Sequence, residues 1–352
     1  MADQDVVMLL SGDLYIQRPE PESIFEYTAK ELREADLFFG NLEAAVTDRG
    51  KPTEAKPVAQ FKSEERMFPA YVHAGLDACG LANNHSMNYG PEGLLRTVEL
   101  LDGAGIAHAG GGKDYDEAHR PGVLERKGNR IAFLSYSSVF VPPFAATRDR
   151  GGIATVSVGT AYQPQPRVVE VPGSPPIIRT FPDPEDAAAM VADIGKAKRN
   201  ADLVVISWHW GLSPATGGAG DMVPYQLEMA HAAVDAGADL VIGHHPHMLH
   251  PIEVYKGKAI FYSLGNFAFD LFYGRKQTTA LARCVIRDGA IQEVGYIPAF
   301  INETAQPMLV DTEKGASIVG HVENISQKFG TKFEVREHEV VLDTTGDPAK
   351  AH

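Results

Sequence analysis

The chain has few of the residues that staple, anchor or electrostatically commit a protein. Its two cysteines, Cys79 and Cys284, lie far apart and outside any C-x-x-C spacing, which excludes a disulfide framework and a thiolate zinc site and fits a reducing compartment. Cations are outnumbered, with 32 Lys and Arg against 46 Asp and Glu and a formal net charge of -14. Such a field repels a nucleic-acid backbone, so no nucleic-acid partner is expected. No stretch approaches the ~20 consecutive apolar residues of a membrane-spanning helix, and Met1-Ala2-Asp3-Gln4-Asp5 is acidic where a secretory signal is basic. A cytoplasmic protein without a membrane partner is the expectation, its oligomeric state left open. There is also no G-x-S-x-G nucleophile elbow, and Gly110-Gly111-Gly112 lacks the spacing of a phosphate-binding loop.

What the chain does have is enough apolar residue, 44%, for a sizeable core. Short β-rich runs alternate with helix-period segments, the pattern of strands covered by helices in an α/β fold. Strands are expected at Val6–Leu10, Asp36–Phe39, Ile131–Tyr136, Leu203–Ser207, Leu240–Ile242 and Ala259–Tyr262. A hairpin turns at Asp288-Gly289, between Thr279–Ile286 and Ile291–Ile297. Helices are expected at Ser23–Glu34, about Glu65–Ala74, Pro91–Gly103, Pro184–Asn200, Pro224–Ala236 and Lys314–Lys328, several bounded by an N-terminal Pro or a C-terminal Gly. A Pro-, Gly- and Thr-rich stretch at about 141–182 carries no helix period and reads as an insertion or lid. One domain spans residues 1–300, with 301–352 a C-terminal extension packed on it.

Five polar clusters each follow a strand-like run: Gly12-Asp13, Gly40-Asn41-Leu42-Glu43, Asn83-Asn84-His85, His209-Trp210-Gly211, and Gly243-His244-His245-Pro246-His247. In α/β sheets, groups at the carboxyl ends of strands converge in space although far apart in sequence. Imidazole nitrogens and carboxylate or amide oxygens form the ligand set of a divalent cation. Each cluster alone has a plainer reading. Gly-Asp after a strand is commonly a turn, Glu43 suits a helix cap, and His209 suits a core histidine. The three histidines within residues 244–247 are hardest to explain structurally.

Taken in order, these clusters together with Tyr262-Ser263-Leu264-Gly265-Asn266-Phe267 resemble the CapA family, the poly-γ-glutamate capsule-synthesis group of the calcineurin-like metallophosphoesterase superfamily. The resemblance covers roughly Val6 to Asp270. It implies a four-layer α/β/β/α sandwich with mixed sheets and one or two divalent ions, Mn, Zn, Fe or Ca. It implies metal positions at Asp13, Asn41 or Glu43, Asn84, His209, His245 and His247, with His244 in the same cluster. His85 would serve as proton donor, and Trp210, Tyr262, Asn266 and Arg275 are candidates to contact substrate. Three positions depart from the pattern: Tyr15 stands where a histidine is usual, Asn41 where a bridging aspartate is usual, and Ser213 where a glutamate follows His-Trp-Gly. The first two weaken a second ion site.

These readings imply a metal-dependent hydrolase acting on a phosphoester or on an amide of a small-molecule or peptide substrate. A peptide epimerase of lasso-peptide biosynthesis is also similar to the family. On that alternative, Asp221 and Asp270 would pair with His209, His85 or the 244–247 histidines to move a proton at an α-carbon. An accessory role in poly-γ-glutamate biosynthesis is the third possibility.

Overall fold

The computed structural model describes residues 4–55, 60–214, 221–272 and 274–345; residues 346–352 of the C-terminal extension lie outside that set. Two sheets carry the chain. In the first, Ala107–Ala109, Ala78–Gly80, Leu37–Leu42 and Val6–Tyr15 run parallel, and the antiparallel Gln277–Arg287 and Ala290–Ile301 hairpin and the short strands Val340–Leu342 and Phe333–Val335 extend the other side. In the second, Asn129–Ser137, Leu203–His209, Leu240–His244 and Lys258–Phe261 are parallel, flanked by antiparallel Gly122–Arg126 and Ile252–Tyr255.

The period-2 alternation of the strands decides the layering. Met8, Leu10, Leu37 and Phe39 point inward from the first sheet, and Phe133, Val205, Leu240 and Ile242 meet them from the second in one core cluster. Phe39 and Phe133 stack at 5.1 Å between ring centroids. The alternate residues Leu9, Phe38 and Cys79 face outward under Leu94 and Leu101 of the helix Gly90–Ala104. On the opposite side Val204, Ile206 and Val241 lie under Met190 and Ile194 of Pro184–Lys198 and under Met229, Ala230 and Ala233 of Pro224–Asp235. Helix, sheet, sheet, helix is therefore the order of layers, the four-layer sandwich with mixed sheets that the sequence led us to expect. Both cysteines are free and buried.

Local differences have physical causes. The helix expected over Ser23–Glu34 is divided into a 3-10 turn, Pro21–Phe25, and a short helix, Ala29–Glu34. Thr28 between them is buried, and the turn lets Ile24 and Phe25 from the first piece and Leu32 from the second reach the same core cluster. The first strand is longer than expected, running through Gly12 and Asp13 to Tyr15. Its pairing slips on both sides of Asp13, an irregularity of the kind that re-aims a side chain. The 141–182 stretch holds an exposed antiparallel hairpin, Val158–Gln163 with Ile177–Pro182. From the C-terminal extension, Ile318, Val319 and Val322 of the helix Ala316–Ser326 join the inter-sheet core.

Candidate metal centre

The carboxyl ends of the parallel strands in both sheets meet at one place. The first sheet contributes Asp13, Asn41 and Glu43 and the Asn83–His85 segment, while the second contributes His209 and the His244–His247 segment. Gly12 permits the approach. A Cβ there would fall 1.9 Å from the Gly265 carbonyl oxygen, so only glycine lets the Asp13 strand lie against the Gly265 turn.

Asp13, Glu43, His209 and His244 are completely buried, and His245 nearly so. Ligand-capable atoms of Glu43, His209 and His245 lie within 4.8 Å of one another, as do those of Asp13, Glu43 and His247. Glu43 is common to both groups. Its Oε1 is 3.6 Å from His209 Nε2 and 3.7 Å from His247 Nε2. His247 Nδ1 is 3.3 Å from Asp13 Oδ2, and His244 Nδ1 is 3.3 Å from Asp13 Oδ1. His245 and His247 adopt left-handed backbone conformations, φ 94° and 56°. Such strain in non-glycine residues is retained where surroundings over-determine it, typically at functional sites.

The electrostatics follow from burial. Burial alone would raise the Asp13 pKa, but hydrogen bonding to His244 and His247 outweighs it and holds the carboxyl well below its ordinary value. The His209 pKa is also held well below its usual value, by burial first and then by the nearby His245, which keeps the ring neutral. A neutral imidazole beside a carboxylate is the protonation state in which both act as ligands.

A chain of amides orients the cluster. Asn83 Oδ1 accepts from the backbone N–H groups of His85 and Ser86, both at 3.0 Å, which fixes its carboxamide. Its Nδ2 donates to the Leu42 carbonyl at 2.9 Å and faces Asn41 Oδ1 at 3.4 Å. Asn41 must then turn its own Nδ2 toward Asp13, donating to Oδ1 at 2.8 Å. Asn41, expected among the metal ligands, thus presents a donor to Asp13 and its oxygen to Asn83. Asn84 Oδ1 lies 3.1 Å from His209 Nε2.

His85 lies at the edge of the cluster, its Nε2 4.0 Å from Glu43 Oε1. Its ring stacks on Phe61 at 3.9 Å. Asn88 Nδ2 donates to the Phe61 carbonyl at 3.1 Å and lies 2.9 Å from His85 Nδ1. Because that amide nitrogen carries only hydrogens, Nδ1 is the acceptor and the neutral ring keeps its proton on Nε2, toward the cluster. Sequence reasoning missed both supports. Asn88, three residues beyond His85, was open to suspicion on spacing, whereas nothing local marks Phe61.

Several expected residues are placed elsewhere. Trp210 and Tyr262 are fully buried in the core under the second sheet, Trp210 stacked on Trp208 at 5.0 Å and Tyr262 donating to Glu253 at 2.7 Å. Both side chains, one residue past the ends of their strands, lie in the helix-covered cluster. Asn266 is also buried; its Oδ1 faces His247 Nδ1 at 2.9 Å, so it orients a histidine. Asp270 is paired with Arg18 at 2.6 Å and accepts from Gln17 N at 2.7 Å, and Asp221 is exposed beside His250 rather than against the cluster. Among the described residues neither aspartate is paired with His85, His209 or a histidine of 244–247. Arg275 is exposed at the rim, its guanidinium 5.9 Å from the Phe272 ring, which in turn packs 5.5 Å from His247. Tyr15 packs on Phe61 and Phe269, and burial together with Asp270 pushes its hydroxyl up to about 12.

Fold and site define a four-layer α/β protein whose two sheets jointly enclose a carboxylate and imidazole cluster with the donor set of a divalent-cation centre. The chain belongs to the family described as bacterial capsule synthesis protein PGA_cap, which it matches over residues 5–271. It is similar to the capsule biosynthesis protein CapA of Bacillus anthracis, 29% identical with 86% of this chain and 69% of the relative covered. The PGA biosynthesis protein CapA of Bacillus subtilis is 28% identical over 94% of this chain and 78% of the relative. A probable polyglutamine synthesis accessory protein of Mycobacterium tuberculosis is 32% identical, covering 71% and 59%. Among solved structures, Thermus thermophilus sulfate thiohydrolase SoxB in complex with glycerol aligns with 92% of this chain and 61% of its own at 12% identity and a TM-score of 0.40. Nothing about activity follows from so distant a likeness. Among the described residues no helix is long and apolar enough to cross a membrane.

Proposed function

We propose that the chain is a metal-dependent hydrolase serving capsule or poly-γ-glutamate biosynthesis, acting on an amide of a glutamate polymer in preference to a phosphoester. The observation that carries it is the pair of donor groups sharing Glu43, assembled from both sheets and buried. The donor set fits zinc, manganese or iron better than calcium, which prefers an all-oxygen shell. Asp13, Glu43, His209, His245 and His247 would hold the cation, with Glu43 taking the bridging place if there are two. When bound, such an ion supplies Lewis-acid stabilisation of a developing oxyanion and makes water more acidic.

The remaining work falls to the chain. His244 and Asn41 hold the Asp13 carboxylate in position, and Asn84, whose Oδ1 lies 3.1 Å from His209 Nε2, would join His209 on the cation. His85 directs its Nε2–H toward the cluster, where it would hydrogen-bond the group that develops negative charge, its ring fixed by Phe61 and Asn88. The choice of a polymer substrate is supported by the names of two relatives, a PGA biosynthesis protein and a probable polyglutamine synthesis accessory protein.

The test is direct. Chelated protein is reloaded with Zn, Mn or Fe, its metal content measured, and its action followed on γ-linked glutamate oligomers and on a panel of phosphoesters. Full activity without metal refutes the proposal. His85→Ala is expected to lower turnover by roughly 10²- to 10³-fold with metal content unchanged, whereas Asp13→Ala should lose both.

A further inference from the structure

One residue beyond His247 along the chain, Met248 lines a separate cavity of about 340 Å³ whose walls include Asp221, Met222, His250, His321 and Lys328. It lies between the segment 248–251 and the last turn of the helix Ala316–Ser326, which is tied down where Ile252 N donates to Ser326 Oγ at 2.9 Å. His250 is only 2% exposed, yet neither of its ring nitrogens has a hydrogen-bond partner among the described residues. Buried polar atoms are almost always satisfied by protein, water or ligand. The imidazole therefore offers one N–H and one lone pair to whatever fills the cavity.

The surroundings define what that is. Lys328 makes no ion pair among the described residues, its ammonium lying 5.1 Å from the Phe329 ring centroid, and His321 adds a second exposed cationic or donor group. Met222 and Met248 supply adaptable apolar walls. Exposed Asp221 is the one carboxylate opposing them. A donor at depth, a free ammonium and thioether walls suit a carboxylate carried on a short aliphatic stem.

We infer that this cavity is a binding subsite for a carboxylate-bearing unit of the substrate, held by His250 and Lys328, next to the metal centre. The identity of that unit as a glutamate residue rests on the function proposed above; the carboxylate specificity does not. A polymer with one carboxylate per repeat would place one unit in the cavity while its neighbour reaches the metal cluster.

The experiment uses the whole protein and two probes. Glutarate is titrated while the imidazole resonances are followed in long-range ¹H–¹⁵N spectra, with His250→Phe locating the His250 signals. Binding is expected to be millimolar, as suits so small a ligand, to shift the His250 signals, to weaken about tenfold in Lys328→Ala and to tighten in Asp221→Asn. No binding, or binding that leaves His250 unmoved or is indifferent to Lys328→Ala, overturns the subsite. A γ-linked glutamate oligomer then tests the connection: affinity lowered in His250→Phe and Lys328→Ala with metal content unchanged supports the polymer path. If glutarate behaves as expected while the oligomer is neither bound nor cleaved, the subsite stands and the polymer reading falls.

Discussion

Asn41→Asp tests the orientation of the whole cluster. The Asn41 amide donates to Asp13 Oδ1 at 2.8 Å, so an aspartate would set two carboxylates at that separation in a site both residues bury completely. At an effective dielectric near 20 the repulsion is 332/(20 × 2.8), about 6 kcal/mol. The chain escapes part of it by keeping one carboxyl protonated. Relative to an unfolded aspartate titrating near ~3.9, this costs ~1.4 kcal/mol for each of ~3 pH units, about 4 kcal/mol at pH 7. That is the smaller figure, and it sets the expected loss of stability in the metal-free variant. The sign follows from linkage. The folded-state pKa is raised, so the folded chain binds more protons than the unfolded one, and the deficit shrinks as pH falls and vanishes below ~4. A bound divalent cation neutralises the pair, so metal should stabilise the variant more than the parent. Urea unfolding of chelated and reloaded protein at several pH values reads all three effects. A loss below ~1 kcal/mol, with no pH dependence, would refute the orientation assigned to Asn41.

Gly12→Ala should prevent the Asp13 strand from closing on Gly265, because its Cβ would meet the carbonyl oxygen at 1.9 Å; metal content and unfolding midpoint should fall together, and a variant with normal metal binding contradicts the packing described. Asp270→Ala removes the partner of a mostly buried Arg18, whose side chain is 10% exposed. It is expected to cost roughly 3 kcal/mol of stability while sparing metal content and turnover per folded molecule. Loss of turnover without loss of stability would return Asp270 to the reaction.

Much of the protein is legible in its sequence because the determining forces are local. Hydrophobic alternation within Leu203–His209 or Leu240–His244 specifies a buried strand whatever lies beside it, and a run of histidines at its end specifies that polar groups are delivered there. Those local signals were enough to expect a layered α/β fold and a donor cluster at the strand ends. They did not distinguish the face on which a side chain emerges once regular pairing stops, which is why Trp210 and Tyr262 looked available and are buried. Nor could they pair Arg18 with Asp270, or place Phe61 under His85, because those contacts join segments distant along the chain.

The sequence by itself determined that carboxylates, amides and imidazoles would gather at the carboxyl edge of parallel strands, since hydrophobic period and strand direction leave them no other place. Only the tertiary structure decided how they share the space. Packing two sheets face to face put Glu43 in both donor groups, and the backbone N–H groups of His85 and Ser86, donating to Asn83 Oδ1, set through one amide after another the direction in which Asn41 faces Asp13.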